Sequence, residues 1–252
     1  MALNLVMLGP PGAGKGTQAE RLARARGIPK VSTGDMLREA VHDGTELGRR
    51  VKAIMDRGEL VNDEVMTGIV RERLDRPDAR AGFILDGFPR TVAQAVALDA
   101  LMNGRGPLLV LEIVVPEEEL MRRLGARLIC ADCGANAGDF SQPVSGPKDG
   151  AAMPAGPAVA TAEAVAVAAP ALRCSRCGGR LVQRADDDSG VVLERLKVYH
   201  RQTEPLVEYY RARPTFRQVN GAQPPDQVAA ELAAAVDAAR GLSVSSGGGM
   251  GR

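Results

Sequence analysis

The segment Gly9-Pro10-Pro11-Gly12-Ala13-Gly14-Lys15 sets three glycines and a lysine in one short stretch. Glycine lets the backbone bend so that successive N–H groups converge on an oxyanion, and the lysine adds a mobile full charge. The chemistry served by such a loop is the binding of a nucleoside triphosphate through its β/γ region. A glycine-rich turn with no ligand is the plain alternative. The residue after Lys15 is Gly16, and the hydroxyl comes one position later, at Thr17. Direct Mg²⁺ ligation by that hydroxyl therefore departs from the strict pattern.

A second group consists of sulfur. All four cysteines fall in two pairs, Cys130-x-x-Cys133 and Cys174-x-x-Cys177, each followed by glycine. C-x-x-C puts two thiolates on one tight turn, and two such turns complete a closed tetrahedral site of the structural Zn²⁺ kind. In a reducing compartment this spacing reads as metal before disulfide. Two disulfides, a redox C-x-x-C and a nucleic-acid-binding zinc ribbon are the alternatives. A ribbon would want basic and aromatic flanks. Arg173, Arg176 and Arg180 supply charge, but aromatics are 3% of the chain and Trp is absent. The 40 residues between Cys133 and Cys174 cost the closed site little, because loop-closure entropy grows slowly with length.

Single residues add to these. Asp86 closes the apolar run Gly82-Phe83-Ile84-Leu85, where a carboxylate can hold Mg²⁺ through water; a turn cap is the alternative. Gln94 lies four residues after Arg90 on a helical stretch, so the two share a face. The chain has 27 Arg and 5 Lys. Most arginines in so biased a composition are solvated, and Arg21, Arg24, Arg26, Arg71 and Arg73 fit that description.

Positioning these groups requires a scaffold. Leu3 to Leu8 is apolar and feeds the glycine loop, and Lys15 to Arg26 reads as a helix. A buried strand, a glycine turn and a helix open a parallel α/β fold. Further strands are expected at Lys30–Ser32, Gly82–Leu85, Leu108–Val115 and Phe216–Val219, five in all. Ser32 to Asp35 caps a helix over Met36–Val41. Helices are expected over Glu46–Arg57, Asp63–Leu74, Thr91–Leu101, Pro116–Leu124, Val191–Arg211 and Gln227–Arg240. Residues 141–172 are almost all Ala, Gly, Pro and Val, and read as a loop insertion. The tail 243–252 reads as disordered.

Composition bounds the partners. Across 252 residues, 32 basic side chains face 31 acidic ones, a formal charge of +1. That balance argues against a nucleic-acid coat. The sequence holds no apolar run long enough to span a membrane and no signal peptide, so a cytoplasmic protein is expected.

Gly9 to Gln18 resembles the phosphate loop of the adenylate kinase family and its nucleoside monophosphate kinase relatives. Three further blocks are similar to that family. They are Ser32-Thr33-Gly34-Asp35-Met36-Leu37-Arg38, Asp86-Gly87-Phe88-Pro89-Arg90-Thr91, and Arg184-Ala185-Asp186-Asp187 followed by Arg195. The resemblance spans 1–128 and 174–240.

It implies a P-loop NTPase fold: a five-stranded parallel sheet flanked by helices, with a helical AMP-binding insert and a zinc-bearing lid. The implied layout is core 1–31, insert 32–61, core 62–123, lid 124–188 and core 189–242. It implies the reaction Mg·ATP + AMP ⇌ 2 ADP, run by a monomer without nucleic-acid or membrane partners. ATP would sit on Gly12, Ala13, Gly14, Lys15, Gly16 and Thr17, with Arg123 by the adenine. Lys15, Arg90, Arg127, Arg184 and Arg195 would hold the transferring phosphates, with Asp86 on Mg²⁺. AMP would take Arg38 and Arg90 at its phosphate. Thr33, Glu59, Leu60, Val61, Gly87, Phe88 and Gln94 would complete its pocket, with Arg184 and Arg195. The Cys130, Cys133, Cys174 and Cys177 site resembles the zinc lid of some members. Gly125-Ala126-Arg127-Leu128 stands where the family shows Gly-Arg-Arg, so only Arg127 carries over. Asp186 and Asp187 either bridge lid to core or order the lid arginines, or are ordinary loop carboxylates. A kinase for another base is the runner-up, and a zinc-ribbon protein with a degenerate loop the reading from another class. A GTPase is disfavoured, since no N-K-x-D segment is present.

Overall fold

The computed structural model describes residues 2–134, 136, 173–174, 176–184 and 187–245. The expected loop at 141–172, Asp186 and the tail beyond 245 lie outside them. The chain forms two units, Met1–Ala126 with Ala185–Arg252, and Arg127–Arg184.

In the first unit β1 (Leu3–Leu8) leads to α1 (Lys15–Arg26), β2 (Lys30–Ser32), α2 (Thr33–His42), α3 (Glu46–Asp56) and α4 (Asp63–Leu74). Then come β3 (Gly82–Asp86), α5 (Val92–Leu101), β4 (Leu108–Val114) and α6 (Glu117–Gly125). The second unit contributes β5 (Leu128–Cys130) and β6 (Leu181–Gln183). The chain returns with α7 (Ser189–Val198), α8 (Pro205–Arg211), β7 (Phe216–Asn220) and α9 (Pro225–Ser245).

Five parallel strands make one sheet in the order β2-β3-β1-β4-β7. Leu5 lies opposite Ile84 on one side and Leu109 on the other. Every residue of β1 is buried, as a strand covered by helices on both faces must be. Side chains alternate between two cores. Leu5, Met7, Ile84, Leu109, Leu111 and Ile113 pack with Leu22, Leu124 and Leu232. Val6, Leu8, Phe83, Leu85 and Val110 pack with Val70, Leu98 and Leu206 on the opposite face. The connections leaving β1 and β3 run toward opposite edges of the sheet. Their strand ends therefore open the crevice where α/β proteins bind ligands.

Two boundaries differ from expectation by more than two residues. Ser32 caps α2 by accepting from Asp35 N at 3.3 Å, so the helix starts at Thr33 rather than Met36. The C-terminal helix runs on to Ser245, three residues into the expected tail. A larger difference lies in Val191–Arg211, which is not one helix. A π-helical segment, Tyr199–Thr203, separates α7 from α8. Pro205 has no N–H to return to the turn before it. Glu204 N donates to Tyr199 O instead, at 2.9 Å, the wider π register.

α2 and α3 cross at Gly48. A Cβ there would stand 1.9 Å from Ala40 O, so neither helix could keep its place. Gly48→Ala should cost about 1–3 kcal/mol, several degrees in melting temperature. Gly68 sits inside α4 with nothing within 4 Å of an added Cβ. Gly68→Ala should instead raise stability by about 0.5–1 kcal/mol. Thermal melts of the two variants check the contrast; equal shifts would remove close packing as the cause. No described helix is long and apolar enough to cross a membrane.

Candidate active site

The loop after β1 is built on glycines. Gly9, Gly12 and Gly14 all have positive φ, and Gly14 caps α1. A Cβ on Gly9 would lie 2.6 Å from Ile113 O, so only glycine lets the loop pass β4. Ala13 is buried and its N–H returns to Pro10 O at 3.2 Å. Lys15 Nζ donates to Gly9 O at 2.7 Å and to Pro10 O at 2.8 Å, folding the ammonium back over the loop. Gly16 and Thr17 form the first turn of α1, both half-buried. Asp86 ends β3 beside it, and a Cβ on Gly16 would stand 3.3 Å from Asp86 Oδ2.

An open cleft of about 530 Å³ runs along these strand ends. Lys15, Arg90 and Arg195 all line it, with Gly9, Leu60 and Gly87. The structure thus brings three of the expected cations to one space. Pro11, Gly58, Pro89, Val198, Tyr199 and Thr203 also line it, and the sequence had not singled them out.

Gly87 anchors the next group. Thr33 Oγ1 and Arg90 Nε both donate to Gly87 O at 2.9 Å. Gly87 has φ +85°, and a Cβ there would meet Thr33 Oγ1 at 2.9 Å. Phe88, 1% exposed, packs in the core, and its bond to Pro89 is cis. Gln94 is buried as well. Its Oε1 accepts from Arg90 N at 2.8 Å and its Nε2 donates to Asp63 Oδ1 at 2.7 Å. From the sequence Asp63 stood only as the first residue of an expected helix.

The remaining expected residues are dispersed. Arg38 pairs with Asp35, which Lys30 also approaches at 3.4 Å. Burial works against the Asp35 charge, but Arg38 and Lys30 outweigh it and hold the carboxyl at about 2. Its contribution to stability is thus present above the ordinary carboxylate range near 4. It fades as pH falls toward 2. Glu59 is exposed and accepts from Arg57 Nε and Nη2, each at 2.8 Å, which lowers its pKa. Val61 is buried. Arg123 is tied to Glu119 at 2.7 Å and to Gly221 O at 2.9 Å. Arg195 pairs at 3.1 Å with Asp187, whose side chain is fully buried. Both residues belong to the first unit, so this pair orders no arginine of the second.

Arg127 and Arg184 belong to the second unit, next to the ends of its β5–β6 pair, in which Leu128 opposes Gln183. The four cysteine sulfurs there lie within 4.8 Å of one another. Cys130 and Cys177 are 3.4 Å apart and Cys133 and Cys174 3.7 Å. These are thiols, since a disulfide spans about 2.05 Å. A tetrahedron with metal–sulfur bonds of about 2.3 Å has sulfur edges of roughly 3.8 Å, so the cluster is compatible with zinc. The knuckles repeat one another. Gly134 N donates to Cys130 O and Gly178 N to Cys174 O, and both glycines have positive φ. A Cβ on Gly179 would stand 2.7 Å from Cys130 Sγ, so glycine is needed beside the sulfurs. Amide N–H groups, that of Cys133 first, bring the Cys130 thiol down to about 7.

A phosphate loop after the first strand of a parallel sheet, with lysine and two arginines around one cleft, defines a P-loop phosphotransferase. The family model described as adenylate kinase matches residues 7–215. The adenylate kinase of Archaeoglobus fulgidus is 46% identical, over 93% of this chain and 98% of its own. That of Moorella thermoacetica is 47% identical over 88% and 92%. A third, from Rhizobium etli, is 45% identical over 92% and 98%. The chain belongs to the adenylate kinase family.

Proposed function

We propose that the cleft lined by Lys15, Arg90 and Arg195 is where this enzyme runs the family reaction, ATP + AMP ⇌ 2 ADP. The observation that carries the assignment is the convergence of those three cations beside the loop of Gly9. An oxygen of the AMP phosphate attacks the terminal phosphorus of ATP, and the bond to the bridging oxygen of the departing ADP breaks. The attacking oxygen is already an anion, so no general base is needed. The protein's task is to bring two anions together and to stabilise charge spread over the equatorial oxygens.

Lys15 leaves Gly9 O and Pro10 O for the β/γ oxygens, while the amides of Gly12, Ala13, Gly14, Gly16 and Thr17 cradle them. Arg90 and Arg38 take the AMP phosphate, where a planar guanidinium can bind two oxygens at once. Arg195 joins them, and the family resemblance adds Arg127 and Arg184 as phosphate ligands. Arg123 flanks the ATP adenine. Thr33, Glu59, Leu60, Val61, Gly87, Phe88 and Gln94 shape the AMP pocket. The Asp86 carboxylate beside Gly16 suits a hydrated Mg²⁺, and its acceptor oxygens would hold that ion through water. Bound with ATP, Mg²⁺ supplies neutralisation of phosphate charge. Cys130, Cys133, Cys174 and Cys177 suit a structural Zn²⁺, which supplies a crosslink between two chain segments. We read the enzyme as a monomer acting on free nucleotides, and a chain whose cysteines fall in C-x-x-C pairs suits a cytoplasmic setting.

AMP should be the preferred acceptor. Coupled phosphotransfer with AMP, CMP, UMP and GMP tests this, and more efficient turnover of CMP or UMP would defeat it.

A further inference from the structure

Asp63 opens α4 and reaches across to α5. Its Oδ1 accepts from Gln94 Nε2 at 2.7 Å, and its Oδ2 accepts from Thr91 Oγ1 at 2.8 Å. Gln94 Oε1 accepts the Arg90 backbone N–H at 2.8 Å. A carboxamide has two N–H donors and two acceptor lone pairs, and these contacts use one of each. Both partners can play only one part. A carboxylate accepts, and a backbone N–H donates. Turning the amide over would set its oxygen against the Asp63 carboxylate and its NH₂ against the Arg90 N–H. Gln94 is 2% exposed, so water cannot relieve either clash.

We propose that Asp63 is a specificity-determining positioning residue, which locks the Gln94 carboxamide in the orientation that accepts adenine and rejects guanine. This rests on the reading of Gln94 as the residue that meets the AMP base. Adenine offers an N1 acceptor beside an N6–H donor. Guanine offers an N1–H donor beside an O6 acceptor. The amide's remaining N–H and lone pair, held in one sense, match the first edge and oppose the second at both atoms. A free carboxamide is nearly symmetric in shape and could turn to serve either base. Opposed, unpaired polar groups are what make discrimination steep.

The test is the ratio of kcat/KM for AMP to that for GMP, with both substrates assayed on one enzyme sample. Any loss of folded enzyme cancels in that ratio. Asp63→Ala should lower the ratio at least about tenfold, chiefly through KM. Asp63→Asn keeps an acceptor for Gln94 and can reverse the Thr91 contact through its Nδ2. It should hold the ratio within about threefold of the parent. Gln94→Ala should collapse it. A steady ratio in Asp63→Ala beside a collapse in Gln94→Ala overturns the role of Asp63 and spares the base reading. Steady ratios in both remove the base reading and the proposal together. A collapse in Asp63→Asn equal to that in Asp63→Ala assigns the effect to charge and overturns the lock.

Discussion

Lys15→Ala should lower kcat by about 10²–10³-fold, or roughly 2.7–4 kcal/mol of transition-state stabilisation. The ammonium is half-buried over the loop and folds back onto two carbonyl oxygens, so its removal costs the fold little. The loss should fall on kcat more than on KM, because negative charge on the bridging and equatorial oxygens grows as the reaction proceeds. Arg90→Ala should behave alike. Arg90→Lys should recover only part, since an ammonium cannot hold Gly87 O and a phosphate in the plane of a guanidinium. Steady-state kinetics beside melting curves check this. Near-parental turnover in Lys15→Ala would take the lysine out of the mechanism.

Removing metal should produce the second large effect. Protein purified under reducing conditions should carry about one Zn²⁺ per chain. Chelation, or Cys174→Ser, should lower thermal stability. The described part of the second unit is built on the short β5–β6 pair, two isolated bridges and the two cysteine turns. Structural zinc in small peptides contributes about 10–16 kcal/mol of apparent binding energy, so a unit of this size should unfold without it. Activity should fall too, because Arg127 and Arg184 border that pair, while the Lys15 loop stays intact. Ligation needs thiolates, so zinc retention should weaken as pH falls. Less than about a tenth of an equivalent of metal, by elemental analysis, would reject the site.

The strands were readable because a parallel sheet buries both faces and leaves plain apolar runs. Leu3–Leu8 and Leu108–Val114 need no partner to be recognised. The phosphate loop and the cysteine knuckles were readable because their chemistry fixes spacing along the chain. Asp63 was not. Its partners Thr91 and Gln94 are far along the sequence, and an acid after Asn62 looks like any other helix start. Val191–Arg211 misled for a related reason. Its apolar residues continue through Pro205, and only the hydrogen-bond register tells a π segment from an unbroken helix.

The strand order sets a timetable for biosynthesis. Of this sheet β1 is the first strand to leave the ribosome, yet both its neighbours are distant, at Gly82–Asp86 and Leu108–Val114. The edge strand Phe216–Asn220 comes later still, on β4. No two strands of this sheet can meet through a hairpin, so each pairing waits for a long crossover to be made. Such non-local contact order slows folding and leaves apolar strands unpaired meanwhile. The nascent chain should thus hold Leu3–Leu8 in a chaperone-accessible state until about residue 114 has emerged. A phosphate loop that opens on that strand cannot take nucleotide any sooner.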